Sequence, residues 1–165
     1  MSKYVTKGGN VEEISSVGVN GGFVGHFVHS LDPKKRLTIP SEWRERLIGS
    51  PSLYVLPSLG GEKCLYVYPA SEMAPRLQKL QKTGIGDKRA RLFARALASR
   101  SDLVSFDSQG RIRIKDELLD YAALSSQVEL VGLFNHFELW NPDRRKAVGA
   151  IDEATMEDAL RYVDF

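Results

Sequence analysis

Ser30-Leu31-Asp32-Pro33-Lys34-Lys35-Arg36-Leu37-Thr38-Ile39 returns 75 residues later as Ser105-Phe106-Asp107-Ser108-Gln109-Gly110-Arg111-Ile112-Arg113-Ile114, with Ser, Asp, Arg and Ile kept and the apolar positions matched. At the same offset Leu53-Tyr54-Val55-Leu56 meets Val128-Glu129-Leu130-Val131. After a three-residue insertion in the first copy, Cys64-Leu65-Tyr66-Val67-Tyr68 meets His136-Phe137-Glu138-Leu139-Trp140. Self-similarity at a fixed period marks a repeated supersecondary unit, here present twice.

Each copy reads as a strand, a tight polar turn, a short second strand, a helical turn and a β-hairpin. In the first, a strand over Phe23 to His29 enters the Asp32 to Lys35 turn and leaves through Arg36 to Ile39. A short helix over Ser41 to Leu47 follows, with Ser41 suited to cap it and Gly49-Ser50-Pro51 to stop it. Strands near Leu53 to Leu56 and Leu65 to Tyr68 then flank a Pro57 to Gly61 loop. In the second copy, strands over Ser101 to Phe106 and Arg111 to Ile114 flank the turn, Asp116 to Tyr121 makes the helix, and the hairpin runs from Val128 to Trp140 around Phe134-Asn135. The architecture is expected to be pseudo-twofold.

Between the copies, Ser71 to Lys82 and Asp87 to Ser99 read as helices broken at Thr83-Gly84-Ile85-Gly86. Leu92, Phe93, Ala96 and Leu97 recur at helical spacing and leave Lys88, Arg91 and Arg95 on the other side. A second connector of mixed charge runs from Pro142 through Leu160. Residues 1–21 hold glycines and few large apolar groups, which predicts a disordered arm. The organisation is thus arm (1–21), first repeat (22–82), basic helical connector (83–100) and second repeat with a C-terminal helix (101–165).

The 165 residues are 42% hydrophobic and 27% charged, enough to bury a core. A single cysteine, Cys64, excludes a disulfide framework within the chain and a cysteine-based zinc site, and points to a reducing cytoplasm. No apolar run approaches the roughly 18 residues of a membrane span, and Met1-Ser2-Lys3-Tyr4 does not lead into a signal-peptide core. The net charge of +2 hides a concentration: Arg76 to Arg100 carries eight basic residues against the one acid Asp87. Such a block can face phosphate or serve as a solvated helix face.

An aspartate at the first corner of a tight turn accepts hydrogen bonds from backbone N–H groups two or three residues on and fixes the turn locally. The arginine four residues later can reach back to that carboxylate or point outward. For one motif alone a structural salt bridge is the plainer reading. A fold usually preserves apolar spacing rather than a particular charged pair, so its recurrence suggests that both pairs serve one geometry.

The stretch Gly22-Phe23-Val24-Gly25-His26-Phe27-Val28-His29-Ser30-Leu31-Asp32-Pro33-Lys34-Lys35-Arg36-Leu37-Thr38-Ile39-Pro40 resembles the opening signature of MraZ proteins. Asp107-Ser108-Gln109-Gly110-Arg111-Ile112 resembles its second copy, and Val128 to Trp140 extends the likeness over roughly residues 22–160. The resemblance implies an α+β fold built as a pseudo-twofold double swapped-hairpin (AbrB-like) β-barrel with flanking helices. It also implies assembly into a ring and binding to G-rich direct repeats upstream of the bacterial division and cell-wall gene cluster. Two positions depart from the family pattern: Lys35 stands where glycine ordinarily precedes the arginine, and Lys115 where proline is common. Both add charge beside the expected DNA face, and Lys35 carries a steric penalty if its position needs positive φ.

On this reading Arg36 and Arg111 each offer a planar fork suited to guanine O6 and N7 or to a phosphate, with Lys34, Lys35 and Arg113 beside them to hold the backbone. Asp32 and Asp107 shape the turns. The expected partners are double-stranded DNA and further copies of the chain, in the cytoplasm and on the nucleoid, without cofactor, metal, membrane or small-molecule substrate.

Three other readings compete. A metalloenzyme would use His26, His29 and Asp32, but residues 26 and 29 of one strand point to opposite faces; no nucleophile elbow, Walker loop or His-Glu-x-x-His motif is present, and a non-enzyme is expected. His136, inside a hairpin, reads as a packed or edge histidine. A protein-binding barrel would use Trp43, Tyr54, Tyr66, Tyr68, Phe134 and Trp140 as core or partner groove, and is separated from DNA binding by its insensitivity to salt. An antitoxin-type DNA-binding domain shares the swapped-hairpin chemistry but usually carries one copy of the unit and a disordered tail.

Overall fold

The computed structural model describes residues 21–47, 49, 52–83 and 86–164. The expected arm, apart from Gly21, lies outside the described residues, as do Ser50, Pro51, Gly84 and Ile85 of the two expected helix stops. The first copy runs β1 (His26–Ser30), β2 (Arg36–Thr38), α1 (Ser41–Glu45), β3 (Ser52–Pro57) and β4 (Leu65–Pro69), followed by α2 (Ala70–Lys82) and α3 (Lys88–Arg100). The second runs β5 (Asp102–Ser105), β6 (Arg111–Arg113), α4 (Asp116–Ala122), β7 (Gln127–Gly132) and β8 (Phe137–Trp140), followed by α5 (Pro142–Val148) and α6 (Glu153–Val163).

Six strands form one antiparallel sheet in the order β1-β7-β8-β4-β3-β5, while β2 and β6 pair separately. The first strand of each copy therefore pairs with the hairpin of the other. The register repeats at the sequence offset: Ser30 faces Gln127 and Ser105 faces Ser52, while Leu37 faces its own counterpart Ile112. In the centre of the sheet Tyr66 faces its counterpart Glu138. This places a local twofold between Leu37 and Ile112 at one end and between Tyr66 and Glu138 at the other. Among the described residues the strands remain two open sheets rather than one closed barrel.

The core lies where these layers meet. Leu37, Ile39, Ile112 and Ile114 point inward from the β2–β6 ribbon, and Leu130, Phe137 and Leu139 come from the large sheet, all fully buried. Trp43 of α1 is fully buried against Phe23 and Phe137, with ring centroids 5.6 and 4.9 Å away, and its indole N–H donates to Val24 O at 3.0 Å. Truncating such a residue costs about 3–5 kcal/mol.

Several local expectations change. Gly25, at φ +88°, breaks the first strand, so Phe23 makes only an isolated bridge to Phe134 and β1 starts at His26. Ser41 does not cap α1: the Pro40 carbonyl accepts from Trp43 and Arg44, and Ser41 already lies inside the first turn. Asp87 stands outside α3 as its cap, accepting from Arg89 and Ala90. The C-terminal connector is two helices, parted at Gly149 (φ +85°) and restarted by Asp152, whose carboxylate accepts from Thr155. Of the aromatic residues, Trp43 and Trp140 are core, the three tyrosines are partly covered, and Phe134 is exposed. The apolar side of α3 is also misplaced in the sequence reading. Leu92, Phe93 and Ala96 are exposed; of the four residues expected on that side only Leu97 faces the fold, together with Ala90 and Ala94.

Candidate nucleic-acid interface

The Asp-x-x-x-Arg turns are built identically. Asp32 Oδ1 accepts from the backbone of Lys34 at 2.9 Å and Arg36 at 2.8 Å, while its Oδ2 accepts from Arg36 Nε at 2.7 Å. Asp107 repeats this with Gln109 and Arg111 N–H, both at 2.9 Å, and Arg111 Nε at 2.7 Å. Partial burial pushes the Asp32 carboxyl upward, but the bonds from the Arg36 backbone and side chain and from the Lys34 backbone outweigh it and hold it below its ordinary range. Asp107 is likewise lowered, first by the Arg111 backbone bond, against partial burial, with the Arg111 side chain adding to it. Both carboxylates stay charged at neutral pH and act as struts.

The copies exchange backbone bonds across the twofold. Ile39 N–H donates to Gly110 O at 3.0 Å and Ile114 N–H to Lys35 O at 3.1 Å, so residues 35 and 110 occupy the same corner. Both have positive φ, +62° at Lys35 and +74° at Gly110. The lysine therefore carries the steric penalty that its departure from the family pattern implied.

Strand alternation in the ribbon sends Leu37 and Ile112 into the core and leaves Arg36, Thr38, Arg111 and Arg113 on the outer side. Arg36 faces Arg113 and Thr38 faces Arg111. The two turns thus lie side by side, close enough that Arg111 Nη1 is 3.9 Å from Asp32 Oδ2. The guanidinium groups do not stand free: Arg36 and Arg111 keep 29% and 21% side-chain exposure, each tied to its aspartate through Nε. A guanidinium has five N–H donors, so pairing at Nε leaves the terminal amino groups to bond elsewhere.

The remaining basic residues divide. Lys34 and Arg113 are exposed and in no ion pair among the described residues. Lys35 Nζ instead pairs with Asp116 at 2.7 Å, and that bond, with the lysine's charge, lowers the Asp116 carboxyl. Lys115 also turns away from the ribbon: its Nζ donates to Ser101 O, just past α3, at 3.0 Å, where a cation offsets the negative end of the helix. The two departures therefore make ties within the chain rather than adding loose charge.

Two residues at this site were missed. Thr38 shares the outer face by strand alternation alone, and was legible. Arg44 lays its guanidinium over Gly110 and donates Nε to Ile39 O at 3.0 Å; its counterpart in the second copy is Leu119, so the repeat gave no signal for it.

The metalloenzyme residues do not converge. His26 lies beside Glu129 at 3.4 Å, His29 Nδ1 bonds Thr38 O at 2.5 Å, and Asp32 is taken up by its turn. Elsewhere Glu62, Cys64 and Glu138 bring potential ligand atoms within 4.8 Å. Burial foremost pushes the Cys64 thiol up to about 12 and raises the Glu138 carboxyl, and Trp140 Nε1 already donates to Glu138 at 2.6 Å. A cation there would have to displace a thiol proton that is held tightly at neutral pH.

The family model described as MraZ protein, antitoxin-like, matches residues 97–158. The chain is 36% identical over 121 residues to the transcriptional regulator MraZ of Thermomicrobium roseum, covering 73% of this chain and 82% of that one. It is 38% identical over 144 residues to the protein of that name from Pediococcus pentosaceus, and 36% over 144 residues to that from Ligilactobacillus salivarius, in each case 87% of this chain and 98% of the relative. The likeness thus spans both Asp-x-x-x-Arg turns and both hairpins, and the chain belongs to the MraZ family.

Proposed function

We propose that the protein is a DNA-binding transcription regulator that reads DNA with the outer face of the β2–β6 ribbon. One observation carries this: two identical turns, related by a local twofold, place three arginines on one side of a two-stranded ribbon. A ribbon of that width enters a major groove. The Asp32 and Asp107 struts fix the Nε edge of Arg36 and Arg111 before binding, which lowers the ordering entropy lost on contact. Their terminal amino groups serve as base readers, and Lys34 and Arg113 serve as phosphate contacts that set the register. Lys35 has to leave Asp116 to join them.

The relatives' shared name supports transcription regulation. The resemblance in the sequence implies the finer reading: a target of G-rich direct repeats before a division and cell-wall gene cluster, and a ring of subunits acting in the cytoplasm on the nucleoid. The exchange of first strands between the copies supports the double swapped-hairpin barrel, with the ribbon closing over the large sheet by side-chain packing. The antitoxin-like description of the family favours, as a second reading, regulation coupled to a bound protein.

The test is a binding titration on duplexes carrying G-rich repeats, repeated at several salt concentrations. Phosphate contact requires affinity to fall steeply and linearly in log–log form. Affinity independent of salt would replace DNA with an apolar protein ligand.

A further inference from the structure

α2 and α3 enclose an apolar groove of about 490 Å³ over β3 and β5. Met73, Leu77 and Leu80 come from α2, Ala94 and Leu97 from α3, and Leu103 from β5. Its α3 rim is basic: Arg91 lines it, and Lys88 and Arg95 fall within one helical turn of the same edge. No acidic residue lies between Asp87 and Ser101.

At the other end of the chain α6 is exposed along its whole length. Met156, Leu160 and Val163 are spaced four and three apart and form one apolar stripe with Ala159. Residues 152–164 carry five acids, Asp152, Glu153, Glu157, Asp158 and Asp164, against the one base Arg161. Glu153 and Glu157 border the stripe. An 11-residue helix is marginal by itself in water and is normally held by packing of its apolar face. At about 1.5 Å per residue α6 is roughly 16 Å long, within the roughly 20 Å of α3.

We propose that α6 of one copy docks in the α2–α3 groove of a second copy, stripe to groove and acidic border to basic rim. This deepens the assembly reading above and rests on it. Groove and helix are different surfaces, so the contact is head-to-tail, and repeated copies close into a ring or extend as a filament. The basic charge of α3 then serves the neighbouring subunit rather than DNA.

The experiment uses the full chain. Leu160→Glu on the stripe and Leu97→Glu in the groove each reduce the assembly seen by sedimentation to the 18.4 kDa monomer, and an equimolar mixture of the two gives a 1:1 dimer through the one intact groove and the one intact helix. Because Leu97→Glu can disturb the fold, Ala94→Cys and Leu160→Cys, made in separate chains, are mixed and oxidised. A disulfide between the two chains is expected. Full assembly of Leu160→Glu, or a disulfide that forms within a chain carrying both cysteines but not between the separate chains, overturns the proposal; the second result returns α6 to its own groove. A wild-type chain that is monomeric even on multi-repeat DNA removes the assembly reading itself. Wild type and Leu160→Glu assembling alike removes only the α6 contact.

Discussion

Arg36 and Arg113 face each other across the β2–β6 ribbon, and Thr38 faces Arg111 in the same arrangement with the copies exchanged. Because both pairs lie on the side away from Leu37 and Ile112, replacing the arginines leaves the core packing intact. Arg36→Ala with Arg111→Ala is expected to abolish DNA binding while the circular dichroism spectrum and oligomer mass stay those of wild type. The turns survive because Asp32 and Asp107 still accept the backbone bonds. Loss of the folded spectrum would make the arginines structural.

Lys35 and Gly110 occupy equivalent corners at positive φ, and they predict opposite responses. Lys35→Gly removes left-handed strain of about 1–2 kcal/mol and loses one exposed ion pair, worth roughly 0.2–1 kcal/mol. The expected outcome in urea unfolding is a small gain or no change. Gly110→Ala acquires that strain and makes the Arg44 guanidinium shift from its place over the corner, at the expense of its bond to Ile39 O, so it is expected to be destabilising. Equal effects of the two substitutions would contradict the shared corner.

His136 stacks on Tyr68 with ring centroids 4.4 Å apart, and burial, reinforced by Arg76, lowers its pKa to about 4. A lowered folded value means that the unfolded chain takes up a proton the folded one refuses. Stability contributed by the neutral imidazole is therefore complete above about pH 6.5 and is lost as pH falls toward 4. Glu138, whose carboxyl is raised by burial, acts in the opposite direction, so the histidine's part is the difference between wild type and His136→Gln. That difference is expected to be flat above pH 7 and to turn against wild type between about 6.5 and 4; a difference independent of pH would refute it.

The repeat was legible because its evidence is pairwise. An offset of 75 residues implies a pseudo-twofold that puts the two turns on one face, and they lie side by side, with Leu37 opposite its counterpart Ile112. The Asp32–Arg36 geometry was half legible: the sequence offered bonding back to the carboxylate or pointing outward, and the arginine does the first through Nε while keeping part of its side chain exposed. What sequence could not give is where unrepeated side chains go. Lys35 and Lys115 looked like loose charge because their acceptors, Asp116 and Ser101 O, lie 81 and 14 residues away. The α3 stripe failed for a related reason. Leu92 and Phe93 have the periodicity of a buried face, but the side of α3 turned toward β3 and the groove carries Ala90 and Ala94 beside Leu97, and alanines are what periodicity weights least.

On the proposed function, the ribbon reads repeated DNA through several subunits at once. Two base-reading arginines give about 1–3 kcal/mol of discrimination each, too little to select an operator from a genome without multiplication by neighbouring copies. The most direct measurement is a titration at fixed salt of duplexes bearing one, two or three repeats, and of a two-repeat duplex with about 5 bp, half a helical turn, inserted between its sites. Affinity is expected to climb steeply with repeat number and to return to the single-repeat value in the inserted duplex, because the second site then faces away. Equal affinity for one repeat and three, or indifference to the insertion, would contradict the account.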